Sequence, residues 1–178
     1  MAQQINISIM INGKEVKPFS SLSISQVLFD HHTFELRFDH DVIEAPKSFN
    51  ISKSKDFLGK VITISMNTLK ADKSDHVFKG VVTSIGFANN LGSSGDLVFK
   101  GHGSTILLET EETNLSFLDS PLSKIVKGVT NGISSNVLDI QVNPAKKSPI
   151  PFVVQYRESN FSFLRRLAAE YGEWFFYD

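Results

Sequence analysis

A chain of 178 residues, 41% hydrophobic and 21% charged, is long enough for one full domain, or one domain with part of a second, built around a real core. With 18 basic against 19 acidic residues and no stretch rich in Lys or Arg, it presents no field that would draw nucleic acid. The absence of cysteine excludes a disulfide framework and thiolate metal sites, and no apolar run reaches the ~18 residues of a membrane-crossing helix.

The opening, MAQQINISIMINGKEV, lacks the basic and continuous apolar regions of a secretory signal, so the expectation is synthesis and folding in the cytoplasm. Ile5, Ile7, Ile9 and Ile11 alternate with Asn6, Ser8, Met10 and Asn12, and Asn12-Gly13 supplies a type I′ hairpin turn that returns the chain through Val16 to Phe19. Phe34, Leu36 and Phe38 share one face of a strand whose other face carries Glu35, Arg37 and Asp39. Pro46 and KSFNISKSKDF form a polar connection before the strand VITISMN. HVFKGVVTSIGF is a long strand in which Gly80 and Gly86 permit a bend or bulge, NNLGSSG is a loop, and DLVFKGHG is its hairpin partner. Six or seven antiparallel strands in residues 1–103 predict a β-barrel or sandwich, with the barrel as the preferred fold.

After Gly103 the pattern changes. Leu122, Ile125, Val126 and Val129 recur at helical spacing, with Ser120 as N-cap, Pro121 in the first helical position and Gly132 as the stop. LDIQVN reads as a strand, PAKKSPIP as a connector and FVVQYRE as a second strand. Ser159 caps a second helix whose Phe161, Leu164, Ala168 and Tyr171 lie on one stripe, while Arg165, Arg166 and Glu170 face outward and Gly172 ends it. Trp174, Phe175, Phe176 and Tyr177 then read as a strand that is aromatic on both faces. The fold class is mainly β, with an antiparallel barrel over residues 1–103 followed by a partial α+β region over 104–178 that holds two short helices.

No constellation points to catalysis. His31, His32 and His40, beside Asp39 and Asp41, lack metal-ligand spacing and read as surface histidines, as do His76 and His102. Glu109, Glu111 and Glu112 read as a charged loop rather than an acid/base pair. GHGST lacks the lysine of a phosphate-binding loop and reads as a barrel-closing turn, and no G-x-S-x-G elbow surrounds Ser159. Tyr156, Arg157 and Glu158 stand at a strand-to-helix corner, where a buried Arg and Glu persist if paired, so the preferred reading is a structural lock and the other a ligand site. No catalytic, cofactor or metal residues are assigned.

The stretch FVVQYRESNFSFLRRLAAEYGEWFFYD resembles a motif of VgrG spike proteins of type VI secretion systems and of the related tail hubs of contractile phages. FKGVVTSI is similar to that family's F-x-G-x-V-x-x-V strand, and TILLETEETNLSFLDSPLSKIVKGV to its leucine pair, polar loop, Ser-Phe and short helix. Asn160 stands where the family commonly has Asp. The family's chains also continue for several hundred residues, which implies that the sequence stops at a fragment boundary or belongs to a short member. The resemblance implies that residues 1–103 are a hub-type barrel and that the chain is a non-enzymatic hub part of a spike. It further implies a homotrimer in the full-length protein, docked on an Hcp-like tube among baseplate components and exported through the type VI apparatus. A phage or prophage tail hub is the alternative. No nucleic acid or small-molecule substrate is implied. The residues expected to carry structure and assembly are Tyr156, Arg157, Glu158, Ser159, Phe161, Leu164, Leu167, Gly172, Trp174 and Phe176.

Overall fold

The computed structural model describes residues 5–39, 42, 54–68, 76–88, 95–109 and 111–177. Pro46, the polar connection through residue 53, His40, Asp41 and the 89–94 loop therefore lie outside the described residues. The chain divides into two compact units, Met1–Gln26 with His32–Ser104, and Val27–His31 with Thr105–Asp178. Strands account for 46% of the described residues, which are mainly β with two α-helices in the second unit.

Unit 1 is a curled half-barrel of seven antiparallel strands. They are β1 (Ile5–Ile11), β2 (Lys14–Glu15), β3 (Ser21–Ser25), β4 (Thr33–Asp39), β5 (Val61–Thr68), β6 (His76–Ala88) and β7 (Asp96–Gly103), arranged β2-β1-β5-β6-β7-β4-β3. Asn12 and Gly13 both have positive φ, 49° and 78°, as a type I′ turn requires, and they set Ile11 opposite Lys14. The period-two pattern does the rest. Ile9, Ile11, Phe34, Leu36, Phe38, Ile62, Ile64, Phe78 and Phe99 converge on one face and form the unit's core. Each such side chain contributes about 1.5–3 kcal/mol on burial. The edge strand β3, SLSIS, is absent from the sequence reading, although Leu22 and Ile24 alternate strictly with serines and are half-buried.

Gly80 of β6 and Gly101 of β7 act by close approach, whereas a Cβ on Gly86 would meet nothing within 4 Å. A Cβ on Gly101 would fall 2.0 Å from the Val81 carbonyl oxygen and 2.6 Å from the Phe34 ring, and one on Gly80 would fall 2.5 Å from the His102 oxygen. The expected irregularity in β6 does occur, but between Val82 and Ser84, so Thr83 is the inserted residue rather than Gly80 or Gly86. GHGST is not a turn between barrel strands. Gly101 and Gly103 complete β7, and Ser104–Leu108 forms a short 3₁₀ helix.

Unit 2 pairs β8 (Thr113–Ser120) with β9 (Ile150–Glu158) in an antiparallel ribbon, with helices α1 (Leu122–Val129) and α2 (Asn160–Tyr171) contributing to one core. That core holds Leu122, Ile125, Val129, Val153, Phe161, Phe163, Leu164 and Leu167. β8 carries no strand signal of its own, since TNLSFLDS has few β-branched residues and is exposed along most of its length. The cap of α1 lies one residue beyond expectation. Pro121 is the N-cap, while Ser120 Oγ donates to the Leu118 carbonyl instead. At the other end Thr130 terminates α1, donating both its N–H and its hydroxyl to Val126 O, and Gly132 follows at φ 94°. LDIQVN is not a strand: it runs through irregular backbone that tucks Leu138 into the core and half-buries Ile140. Nor is the terminal aromatic run paired as a strand among the described residues.

Candidate functional site

The residues singled out in the sequence gather where β9 turns into α2. Ser159 is extended, at φ −67° and ψ 162°, and its Oγ accepts the Ser162 N–H at 3.1 Å, so the helix begins as expected. Gly172, at φ 67°, occupies the left-handed position that ends α2, its N–H donating to Ala168 O. Phe161, Leu164 and Leu167 are buried on the inward stripe, joined by Phe163, which the sequence stripe omits.

At this corner Glu158 pairs with a different arginine from the one expected. Arg157 is exposed. It is the inserted residue of a bulge in the β8–β9 ribbon, held at φ 48° with its N–H donating to Asn114 Oδ1 at 3.1 Å, and its guanidinium lies 5.9 Å from the exposed Tyr156 ring. Glu158 pairs with Arg166 of α2 instead, receiving Nη2 at 2.6 Å and Nε at 3.2 Å, while the same Nη2 donates to Val154 O at 2.7 Å. This two-pronged contact holds Arg166 further above its ordinary pKa. On sequence alone Arg166 belongs to the solvent face, because it lies off the apolar stripe. A side chain on the helix flank nevertheless reaches the preceding strand eight residues back.

A second polar chain crosses the core side. Gln155 is fully buried; its Nε2 donates to Glu158 O at 3.0 Å and to Asn160 Oδ1 at 2.9 Å, and Asn160 Nδ2 donates to Val129 O at 2.7 Å. β9, the start of α2 and the end of α1 are thereby fastened by two amides. Nothing in a lone Gln or Asn signals such a role; an inward-facing Gln at a period-two apolar position was the one available hint.

A third group sits at the N-terminus of α2. Ser159 is also hydrogen-bonded to Glu109, which receives His31 Nε2–H at 3.1 Å, while His31 Nδ1 lies 2.8 Å from Thr105 Oγ1. The His31 ring packs against Phe161 at a tilt of 32°, with 3.9 Å between centroids. Burial pushes the Glu109 carboxyl up, but the hydrogen bonds from Ser159 and His31 outweigh it and hold the pKa below the ordinary value of 4.5. The surface reading fails for His31 and His32, which are mostly buried. His32 O receives the Gly103 N–H at 2.7 Å. His102 lies 3.3 Å from Thr83 Oγ1, and His76 is exposed. Among the described residues no group of three or more His, Cys, Asp or Glu is placed to hold a metal. Glu111 and Glu112 are exposed, as a charged loop requires.

The terminal aromatics divide by parity. Phe175 and Tyr177 pack on the unit 2 core, with Phe175 5.3 Å from the Phe161 ring, whereas Trp174 and Phe176 are 74% and 60% exposed. Phe29 stacks on Trp174 at 6.3 Å. Glu173 anchors the segment through its carboxylate, which receives the Lys146 and Ala145 N–H groups at 2.8 and 2.9 Å and is held below its ordinary pKa by them. On the outward face of the ribbon, Leu118 pairs with Phe152, and these two and Tyr156 are 68%, 59% and 66% exposed. The site thus consists of three interlocked polar contacts under a surface of bare aromatic and aliphatic side chains.

The phage tail baseplate hub (GPD) family matches residues 33–178, which includes β4 to β9, both helices and the aromatic end. The chain belongs to this family. The tail-hub resemblance carried by the terminal motif is borne out by that match, and the family's part in a tail is that of a baseplate hub. No curated protein matches the chain. Among solved structures, the 43 kDa tail protein of prophage MuSo2 from Shewanella oneidensis is 18% identical at a TM-score of 0.69, covering 95% of this chain and 49% of its own. An E. coli component of the type VI secretion system, described as similar to T4 bacteriophage tail proteins gp27 and gp5, is 14% identical at 0.60, covering 96% and 41%. A lidded Francisella PdpA–VgrG complex is 17% identical at 0.63, covering 95% and 26%. At these identities the likeness is one of fold. This chain spans less than half the length of each of these relatives.

Proposed function

We propose that this chain is the N-terminal hub part of a VgrG-like spike in a type VI secretion apparatus, a structural component that docks on an Hcp-like tube and does no chemistry of its own. The observation that carries the reading is the hub-family match over residues 33–178, which takes in β4 to β7 of the half-barrel together with the ribbon-and-helix unit in one segment. The full-length protein assembles as a homotrimer among baseplate components, is made in the cytoplasm and leaves the cell as part of the spike. The functional division falls near residue 103, with a hub barrel before it and an α+β region after it.

In this reading Ser159, Phe161, Leu164, Leu167, Gly172 and Glu158 keep the corner rigid, so that load passes through packed side chains rather than through a hinge. Tyr156, Arg157, Trp174 and Phe176 supply surface for neighbouring polypeptide. Exposed apolar groups of this number favour association over an isolated existence in water.

Sedimentation of the purified chain, alone and with an Hcp-like tube protein or a phage tail-tube protein, tests the proposal. Co-sedimentation with the Hcp-like protein is expected. Binding to the phage tube protein alone would move the assignment to a prophage baseplate hub, which the MuSo2 tail-protein fold favours as the second reading.

A further inference from the structure

We propose that Asn131 is a site of spontaneous covalent modification, at which the Asn131-Gly132 pair converts to aspartate and isoaspartate while the chain's other Asn-Gly pair, Asn12-Gly13, is protected by its fold. Both pairs are exposed and both lack a side chain on the residue after the asparagine, so on sequence alone they are equivalent. The structure separates them.

Asn12 and Gly13 are clamped. Their dihedrals, φ 49° and 78°, are those of a turn whose flanks Ile11 and Lys14 pair across the β1–β2 ladder, and Asn12 N–H donates to Val61 O at 3.0 Å in the neighbouring strand. Swinging the Gly13 nitrogen onto the Asn12 side chain breaks that ladder. Asn131 stands in no strand or helix. It follows the end of α1 in a turn from Thr130 to Ile133 with Gly132 at φ 94°, the third position of a type II turn, and one long bond, Ile133 N–H to Thr130 O at 3.3 Å, closes it. A Cβ on Gly132, as on Gly13, would meet nothing within 4 Å, so the two glycines are equally open and the difference lies in the ladder that clamps Asn12.

The chemistry balances without a co-reactant other than water. The Gly132 peptide nitrogen gives its proton to solvent base and attacks Asn131 Cγ. A C–N bond forms, the side-chain nitrogen departs as ammonia, and a succinimide ring results. Water adds to either ring carbonyl and reopens it, yielding an ordinary aspartyl residue at this position or a backbone routed through the former side chain. No oxidation occurs. Either product sets a carboxylate beside the C-terminal carbonyls of α1, where negative charge is disfavoured, two residues from the Val129 carbonyl that Asn160 holds.

The full chain is aged at mildly alkaline pH and its peptides are resolved by chromatography and mass spectrometry. The peptide bearing Asn131 should split into aspartyl and isoaspartyl forms roughly tenfold faster than the peptide bearing Asn12 changes, a ratio equivalent to ~1.4 kcal/mol of protection. Amide exchange in α1 should quicken in the aged protein but not in aged Asn131→Gln, whose longer side chain disfavours ring closure. An unchanged Asn131, equal conversion at Asn12, or quickened exchange in the aged Asn131→Gln protein would overturn the proposal.

Discussion

Asn160 shows how one atom sets the requirement at a position. Its Oδ1 accepts from Gln155 and its Nδ2 donates to Val129 O, so aspartate, the residue common at this point of the resembled motif, would keep the first bond and turn the second into repulsion between oxygens. Asn160→Asp should therefore cost about 1–3 kcal/mol in urea unfolding, the range for leaving a buried partner unsatisfied. Glu109 gives a pH-dependent expectation. Because its folded pKa lies below 4.5, its contribution is complete above that value and fades as pH falls through the folded pKa. Thermal midpoints measured from pH 5 down to pH 3 should drop more steeply in the wild type than in Glu109→Gln. The caps of α2 were legible at this scale, since Ser159 and Gly172 announce themselves by type and spacing, whereas α1 takes Pro121 and Thr130 instead of Ser120 and Gly132. The bonds of Arg166, Asn160 and His31 were not, since each joins residues on different elements and spacing along the chain carries no trace of them.

At the scale of elements, the longer strands with alternating large apolar residues were readable, while a short one and a mostly exposed one were missed. β1, β4 and the Asn-Gly hairpin follow from period two and turn chemistry alone. β3 alternates over only five residues and β8 is exposed along most of its length, so both are specified by the partners they pair with, while LDIQVN has the alternation but pairs with no strand among the described residues. Helix α2 is specified by its apolar stripe, so Leu164→Asp, which places a carboxylate in the buried core, should lower stability by several kcal/mol and abolish the cooperative melt of unit 2. A melt indistinguishable from wild type by circular dichroism would show that the stripe does not hold the unit together. Between β4 and β7, the Phe34 ring lies over Gly101, and Gly101→Ala should cost at least the roughly 1–3 kcal/mol of an overfilled core, read as a lower denaturant midpoint.

For the whole molecule, the family and the mainly antiparallel β character were accessible from the sequence because the corner motif binds a strand, a cap, an apolar stripe and a glycine stop in fixed order. The surface partners were not, because exposed aromatics state a need for cover without naming what supplies it. Replacing Trp174 and Phe176 together by Ala should leave the unfolding midpoint within about 0.5 kcal/mol of wild type, as exposed sites do, while reducing self-association in sedimentation if these side chains meet neighbouring copies. Val27–His31 belongs to unit 2 although the residues on either side of it in sequence belong to unit 1. A gene fragment beginning at codon 105 would consequently encode a product without the imidazole that packs against Phe161 and without the ring facing Trp174. Expression libraries that trim the protein from its amino end should thus lose soluble product well before the trimming reaches the second unit's own contiguous segment.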